Sequence, residues 1–209
     1  MTSRNWVRLF LSTLFIGGMT TGVVGLIVRW NEFSHLITHF QIMEILAVLF
    51  WLVGMGFIFS VISQAGFFAY LTVHRFGIGI FKSVAVWNIV QILLIIVTLF
   101  DFVFLRSQAF AEEKEEIFMY VGNAAFLFVF AAVVAYAKAK QTVKEAFIPS
   151  LFFMVVVTII EWVPALRVNE KNWIYLMLFP LLFCNAYQIL VLHKLNKRSG
   201  MSEKLTKEM

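Results

Sequence analysis

Six apolar runs, each long enough to cross a bilayer and separated by short polar breaks, constrain this chain more than any other feature. They fall at about residues 6–28, 42–62, 81–105, 117–137, 146–163 and 173–193. A helical crossing takes about 20 apolar residues, so 209 residues provide for one compact bundle and leave no room for a separate soluble domain. The expected fold class is all-α: a polytopic membrane protein with about six transmembrane helices in a single domain, residues 1–209.

Composition agrees. Hydrophobic residues make up 61% and charged residues 14%, against about a quarter charged in a soluble domain. The lone cysteine, Cys184, excludes an intramolecular disulfide and a cysteine-based metal cluster, and inside an apolar run it reads as a packing residue. The amino-terminal run exceeds the 7 to 15 apolar residues of a signal peptide core, so it is expected to remain as a membrane helix.

The net charge of +5 would suggest nucleic acid in a soluble protein. Here the basic residues flank the apolar runs, which points to membrane orientation and not to a nucleic-acid partner. Of the lysines and arginines, twelve lie on the side of the two termini and five on the other. That imbalance predicts both termini in the cytoplasm of a cell-membrane protein, and the acidic run at Glu112 to Glu116 facing outward.

Span one carries Gly17, Gly18, Gly22 and Gly25. In lipid such glycines let helices approach closely, either within this chain or at a homodimer seam. His35 and His39 follow at i, i+4 spacing, but without the H-E-x-x-H glutamate or an evident third ligand they read as interfacial histidines. Span two has Gly54 and Gly56 at its centre, and its apolar character persists to Val73. Because Gly66, Gly77 and Gly79 disfavour a straight helix, residues 66–80 are expected to form an interfacial elbow, with its aromatics in lipid and His74 and Arg75 in water. Pro149 suits the first turn of span five, Pro164 is expected to end that span, and Pro180 to kink span six. Residues 194–209 form a basic tail suited to anionic lipid.

The polar residues of the spans sort by depth into two tiers. An outer tier gathers Glu44, Asp101 and Glu161 near Arg29, Arg106 and Arg167. Charges near helix ends can pair or snorkel, so ion pairing and a ligand or ion site are the two readings of that tier. An inner tier comprises Gln64, Asn88, Gln91, Asn185 and Gln188, with Asn88–Gln91 and Asn185–Gln188 each at i, i+3 and so on one helix face. It reads either as interhelical amide bonding or as a polar pocket open to the cytoplasm. P-loop, G-x-S-x-G, H-E-x-x-H and repeated-cysteine motifs are missing from the sequence, so no catalytic residue, cofactor or metal is expected.

Three segments carry a resemblance over essentially the whole chain: Ser3 to Val7 (Ser-Arg-Asn-Trp-Val), Ser63 to Gly77 (Ser-Gln-Ala-Gly-Phe-Phe-Ala-Tyr-Leu-Thr-Val-His-Arg-Phe-Gly), and Trp87 to Gln91 continuing to Asp101. In these the chain resembles the KbaA family, the KinB-signalling pathway activation proteins of spore-forming bacilli. The resemblance implies a multi-span membrane protein that promotes signalling through the sporulation sensor histidine kinase KinB, upstream of the phosphorelay. A KinB-like kinase and membrane lipids are then the expected partners, with His74, Arg75 and Lys82 as candidate contacts. The alternative from another class is a small-molecule-binding membrane protein or transporter component, like the substrate-binding subunits of vitamin importers, whose pocket the amides and aromatics would line. An intramembrane enzyme is the third reading, and no nucleophile–base pair or metal triad emerges to support it.

Overall fold

The computed structural model describes residues 3–30, 33–34, 41–111 and 114–208, with side chains at 3–30, 33–34, 41–111 and 116–197. Every regular element among them is helical. Helix α1 is Ser3–Val28, α2 Ile42–Phe81, α3 Val84–Phe110 and α4 Lys114–Gln141. A 3-10 turn at Lys144–Ala146 then leads into α5 (Phe147–Phe152), a π-helical turn (Phe153–Val157) and α6 (Thr158–Val168), and α7 (Lys171–Glu208) follows. Taken with the continuous stretch Lys144–Val168, six helices are long and apolar enough to cross a membrane.

The elbow expected at residues 66–80 is not formed: α2 is helical without interruption for 40 residues, from Ile42 to Phe81. Glycine costs a helix about 1 kcal/mol relative to alanine, but two of these glycines sit where a neighbour occupies the space of a side chain. A Cβ at Gly66 would strike the Glu161 carboxylate and lie 2.9 Å from Val157, and one at Gly77 would lie 2.5 Å from the Trp87 indole. Packing therefore overrides propensity. The break comes later, where Lys82 adopts the left-handed conformation (φ 51). Ser83 then caps α3, its Oγ accepting from the Val86 N–H at 3.4 Å.

Pro164 does not end its helix, since α6 continues through it to Val168. Apolar membrane helices accommodate proline by small local adjustments of the backbone, and Pro164 lies on the exposed side. Pro149 does fall in the first turn of α5, where its missing N–H would have no intrahelical partner in any case.

The fold divides into two compact units, Met1–Ala65 with Trp162–Met209, and Gly66–Glu161. In the first, α1 packs along α7. The contact of α1 with α2 is backbone to backbone: a Cβ on Gly17 would lie 2.7 Å from the Gly56 carbonyl oxygen, and one on Gly56 2.7 Å from Gly18 Cα. Gly25 likewise makes room for Leu52 and Leu176. Intrachain packing thus accounts for Gly17, Gly18 and Gly25. Trp162 is fully buried and donates its Nε1–H to the Ile174 carbonyl at 2.9 Å, and Phe59 meets Trp173 edge-on at 5.9 Å. In the second unit α3 packs on α4, α5 and the π turn. Phe67, Tyr70, Phe152 and Phe153 form its aromatic core, with the ring centroids of Phe67 and Phe153 5.4 Å apart.

Candidate functional site

The polar residues of the Gly66–Glu161 unit converge on the hairpin of α2 and α3. His74, Gly77 and Phe81 recur at i, i+3, i+7, so they share one face of α2. Trp87, in the first turn of α3, lies against that face. Its indole packs on the Gly77 backbone, stacks on Phe81 at 5.7 Å, and donates Nε1–H to His74 Nδ1 at 3.0 Å.

This last bond sets the chemistry of the cluster. An indole N–H can only donate, so Nδ1 accepts and the neutral imidazole carries its proton on Nε2. Gln91 Nε2 lies 3.3 Å from the same Nδ1, so the Gln91 amide presents its NH₂ to the ring and turns its oxygen away. That oxygen, like Asn88 Oδ1 one turn earlier, is buried with no hydrogen-bond donor among the described residues. Tyr70, one turn before His74, donates its hydroxyl to the Pro149 carbonyl at 2.9 Å and ties α2 to α5.

His74, Arg75 and Lys82 therefore do different things. His74 is half-buried and held by α3, whereas Arg75 and Lys82 are exposed. His74 works as an internal strut, and Arg75 beside it and Lys82 two turns further on face outward from it.

The other amides lie in the unit formed by Met1–Ala65 and Trp162–Met209. There Asn185 and Gln188, both fully buried, meet a residue sequence reasoning passed over. Ser63 Oγ donates to Asn185 Oδ1 at 2.6 Å and accepts from Gln188 Nε2 at 2.6 Å. Gln64, the expected member, instead donates to Ser60 Oγ on its own helix at 3.2 Å. Gln188 Oε1 is buried without a donor among the described residues. The signal that could have found Ser63 is its i, i+3 spacing from Ser60, which makes a small polar stripe on α2.

The outer-tier residues differ in environment. Glu44, Asp101 and Arg167 are exposed, and Arg106 and Glu161 are buried. Arg106 lies over the Tyr120 ring at 4.7 Å and the Phe110 ring at 5.5 Å, and Arg29 lies 5.6 Å from both Phe33 and Trp51. Such cation–π contacts are favourable when desolvated. Hydropathy and charge spacing gave no hint of them. The Glu161 carboxylate covers Gly66. His35 and His39 lie outside the described residues, and among those described no group of three His, Cys, Asp or Glu side chains is placed to hold a metal ion.

Among the described residues every regular element is helical, and six helices are long and apolar enough to cross a membrane. The chain belongs to the KbaA family, described as KinB-signalling pathway activation in sporulation, which matches residues 17–195. It is 47% identical over 194 residues to the KinB-signaling pathway activation protein of Bacillus subtilis (strain 168), an alignment covering 93% of this chain and 98% of that protein. No solved structure matches it.

Proposed function

We propose that this chain is an integral membrane regulator that promotes signalling by a KinB-like sporulation histidine kinase through protein–protein contact in or at the membrane. The observation that carries this reading is its 47% identity, across nearly the full length, to a protein named for activating the KinB-signalling pathway. In this reading both termini are cytoplasmic, the chain itself catalyses nothing, and the α2–α3 turn presents Arg75 and Lys82 to the partner. The basic tail is a second cytoplasmic surface. A bundle of this kind acts by touching one state of the kinase better than another, since only a difference in contact free energy shifts an equilibrium between states.

Charge reversal tests the contact. Arg75→Glu with Lys82→Glu, at matched expression, is expected to lower kinase-dependent sporulation, and wild-type sporulation would exclude this surface. Crosslinking in native membranes, read by mass spectrometry, is expected to recover the kinase. A cytoplasmic reporter fused after Met209 is expected to be active, whereas an exported reporter active there would overturn the orientation.

A second reading, a small-molecule-binding membrane protein, is favoured by one observation. The side-chain oxygens of Asn88 and Gln91 are buried without donors among the described residues, and native proteins leave few such groups unsatisfied. A small molecule that co-purifies with the protein and is lost in Gln91→Leu would support it.

A further inference from the structure

The end of the Gly66–Glu161 unit that carries the α2–α3 turn also carries the connection from α4 to α5. Their levels can be compared through the Tyr70–Pro149 hydrogen bond. Arg75 lies five residues beyond Tyr70 along α2, and Lys144 five residues before Pro149. At 1.5 to 2.0 Å per helical residue, both stand roughly 7 to 10 Å from that bond, on the same side of it. Lys140 is at the end of α4, just before Lys144, and Lys82 projects a further two turns of α2 outward. All four cations are exposed, and Glu145 is the acidic side chain beside them.

The side chains between these cations decide what kind of partner this end suits. On the same last turns of α2, Phe76 is 67% exposed and Ile80 72% exposed. A surface built for water, or for a soluble acidic peptide, would not carry uncovered large apolar groups within two turns of its arginine. Alternation of cations with exposed aromatic and aliphatic side chains is the pattern of a helix end at the boundary of acyl chains and headgroups.

We propose that this end is a binding site for the phosphates of anionic phospholipid headgroups, with Arg75, Lys82, Lys140 and Lys144 as the cations and Phe76 and Ile80 seated among the acyl chains. The site shares Arg75 and Lys82 with the proposed kinase contact but needs no kinase, so lipid retention and kinase-dependent sporulation test the two separately.

The test uses the full-length protein reconstituted in vesicles of equal phosphatidylglycerol and phosphatidylcholine, then extracted with its bound lipid. Mass spectrometry reads the ratio of the two lipids retained. Wild-type protein is expected to retain phosphatidylglycerol in excess, and each cation removed is expected to lower that excess by about fivefold. The variants are Arg75→Gln with Lys82→Gln, and separately Lys140→Gln with Lys144→Gln, so that a folding failure in one pair leaves the other to decide. Arg167→Gln with Lys171→Gln, which removes the same charge from the α6–α7 connection, is expected to leave the excess intact. Equal retention of the two lipids by the wild type, or equal loss in the Arg167 and Lys171 variant, would overturn the proposal. So would displacement of the bound lipid by inorganic phosphate or by a soluble glutamate-rich peptide, which would mark a free-ion or a peptide site.

Discussion

Trp87 donates its indole N–H to His74 Nδ1 at 3.0 Å, from the first turn of one helix to the last turns of the one before it. Trp87→Phe keeps a ring on Gly77 and removes the donor. The expected cost is about 0.5 to 1.5 kcal/mol, the net worth of one hydrogen bond, since Gln91 Nε2 still lies 3.3 Å from the same acceptor. Trp87→Ala also empties the space between Gly77 and Phe81 and is expected to cost about 3 to 5 kcal/mol. Reversible unfolding of the purified protein in mixed micelles measures both, and equal stability of Trp87→Phe and wild type would dismiss the hydrogen bond as a contributor.

Glycines in similar helical sequence are expected to respond in opposite ways to alanine. A Cβ at Gly66 meets the Glu161 carboxylate, whereas one at Gly122 meets nothing within 4 Å. Gly66→Ala should therefore lower the yield of folded protein or its melting temperature, and Gly122→Ala should gain up to about 1 kcal/mol from helix propensity. The same contrast is expected between Gly56→Ala, which would press on Gly17 and Gly18, and Gly54→Ala, which has open space. Thermal melts of the four variants, run side by side, would refute this by showing a common sign.

What the sequence made legible follows from how far each signal reaches. The six apolar helices could be read because hydropathy over about 20 residues is a local sum. The pairing of Asn185 with Gln188 on one face was also local, being set by i, i+3 spacing. Residues 66–80 read as an elbow in the sequence because the helix propensity of Gly66 and Gly77 is a local quantity. Their real role depends on Glu161 and Trp87, which fold back from later in the chain. Ser63 escaped notice for the same reason, since its two partners lie more than 120 residues away. A stripe of His74, Gly77 and Phe81 facing a tryptophan just past the turn was visible in the sequence, and it is the clue that would have located the hairpin.

Ser63 joins two amides through one hydroxyl. Ser63→Ala removes both bonds from a fully buried setting, and Gln188 Nε2 keeps its 3.3 Å bond to the Cys184 carbonyl. The expected loss is about 1 to 3 kcal/mol. A double-mutant cycle with Gln188→Leu should show coupling, the double variant costing less than the sum of the singles. Additivity within about 0.3 kcal/mol would mean that the two side chains act independently.

Lys82 holds a left-handed backbone conformation, φ 51, that favours glycine. Lys82→Gly is expected to stabilise the hairpin by about 1 kcal/mol, while Lys82→Gln, which removes the charge and keeps the Cβ, should leave stability unchanged. The pair separates the conformational role of this residue from its electrostatic one in any assay of lipid or partner binding.

The π turn at Phe153–Val157 acts as a phase shifter. Such turns amount to one surplus residue taken into an α-helix, and one residue corresponds to a rotation of about 100°. Were these residues regular α-helix, with the preceding turns held in place, Ile160, now 62% exposed, would swing into the position of Glu161, now 6% exposed. The carboxylate would then leave Gly66. Conversely, the chain could lose one residue from this turn and keep every later side chain on its present face. Deleting Val155 should thus be tolerated where deleting Ile159 is not, which is the mark of an insertion absorbed by the helix at the one place where its phase was free to change.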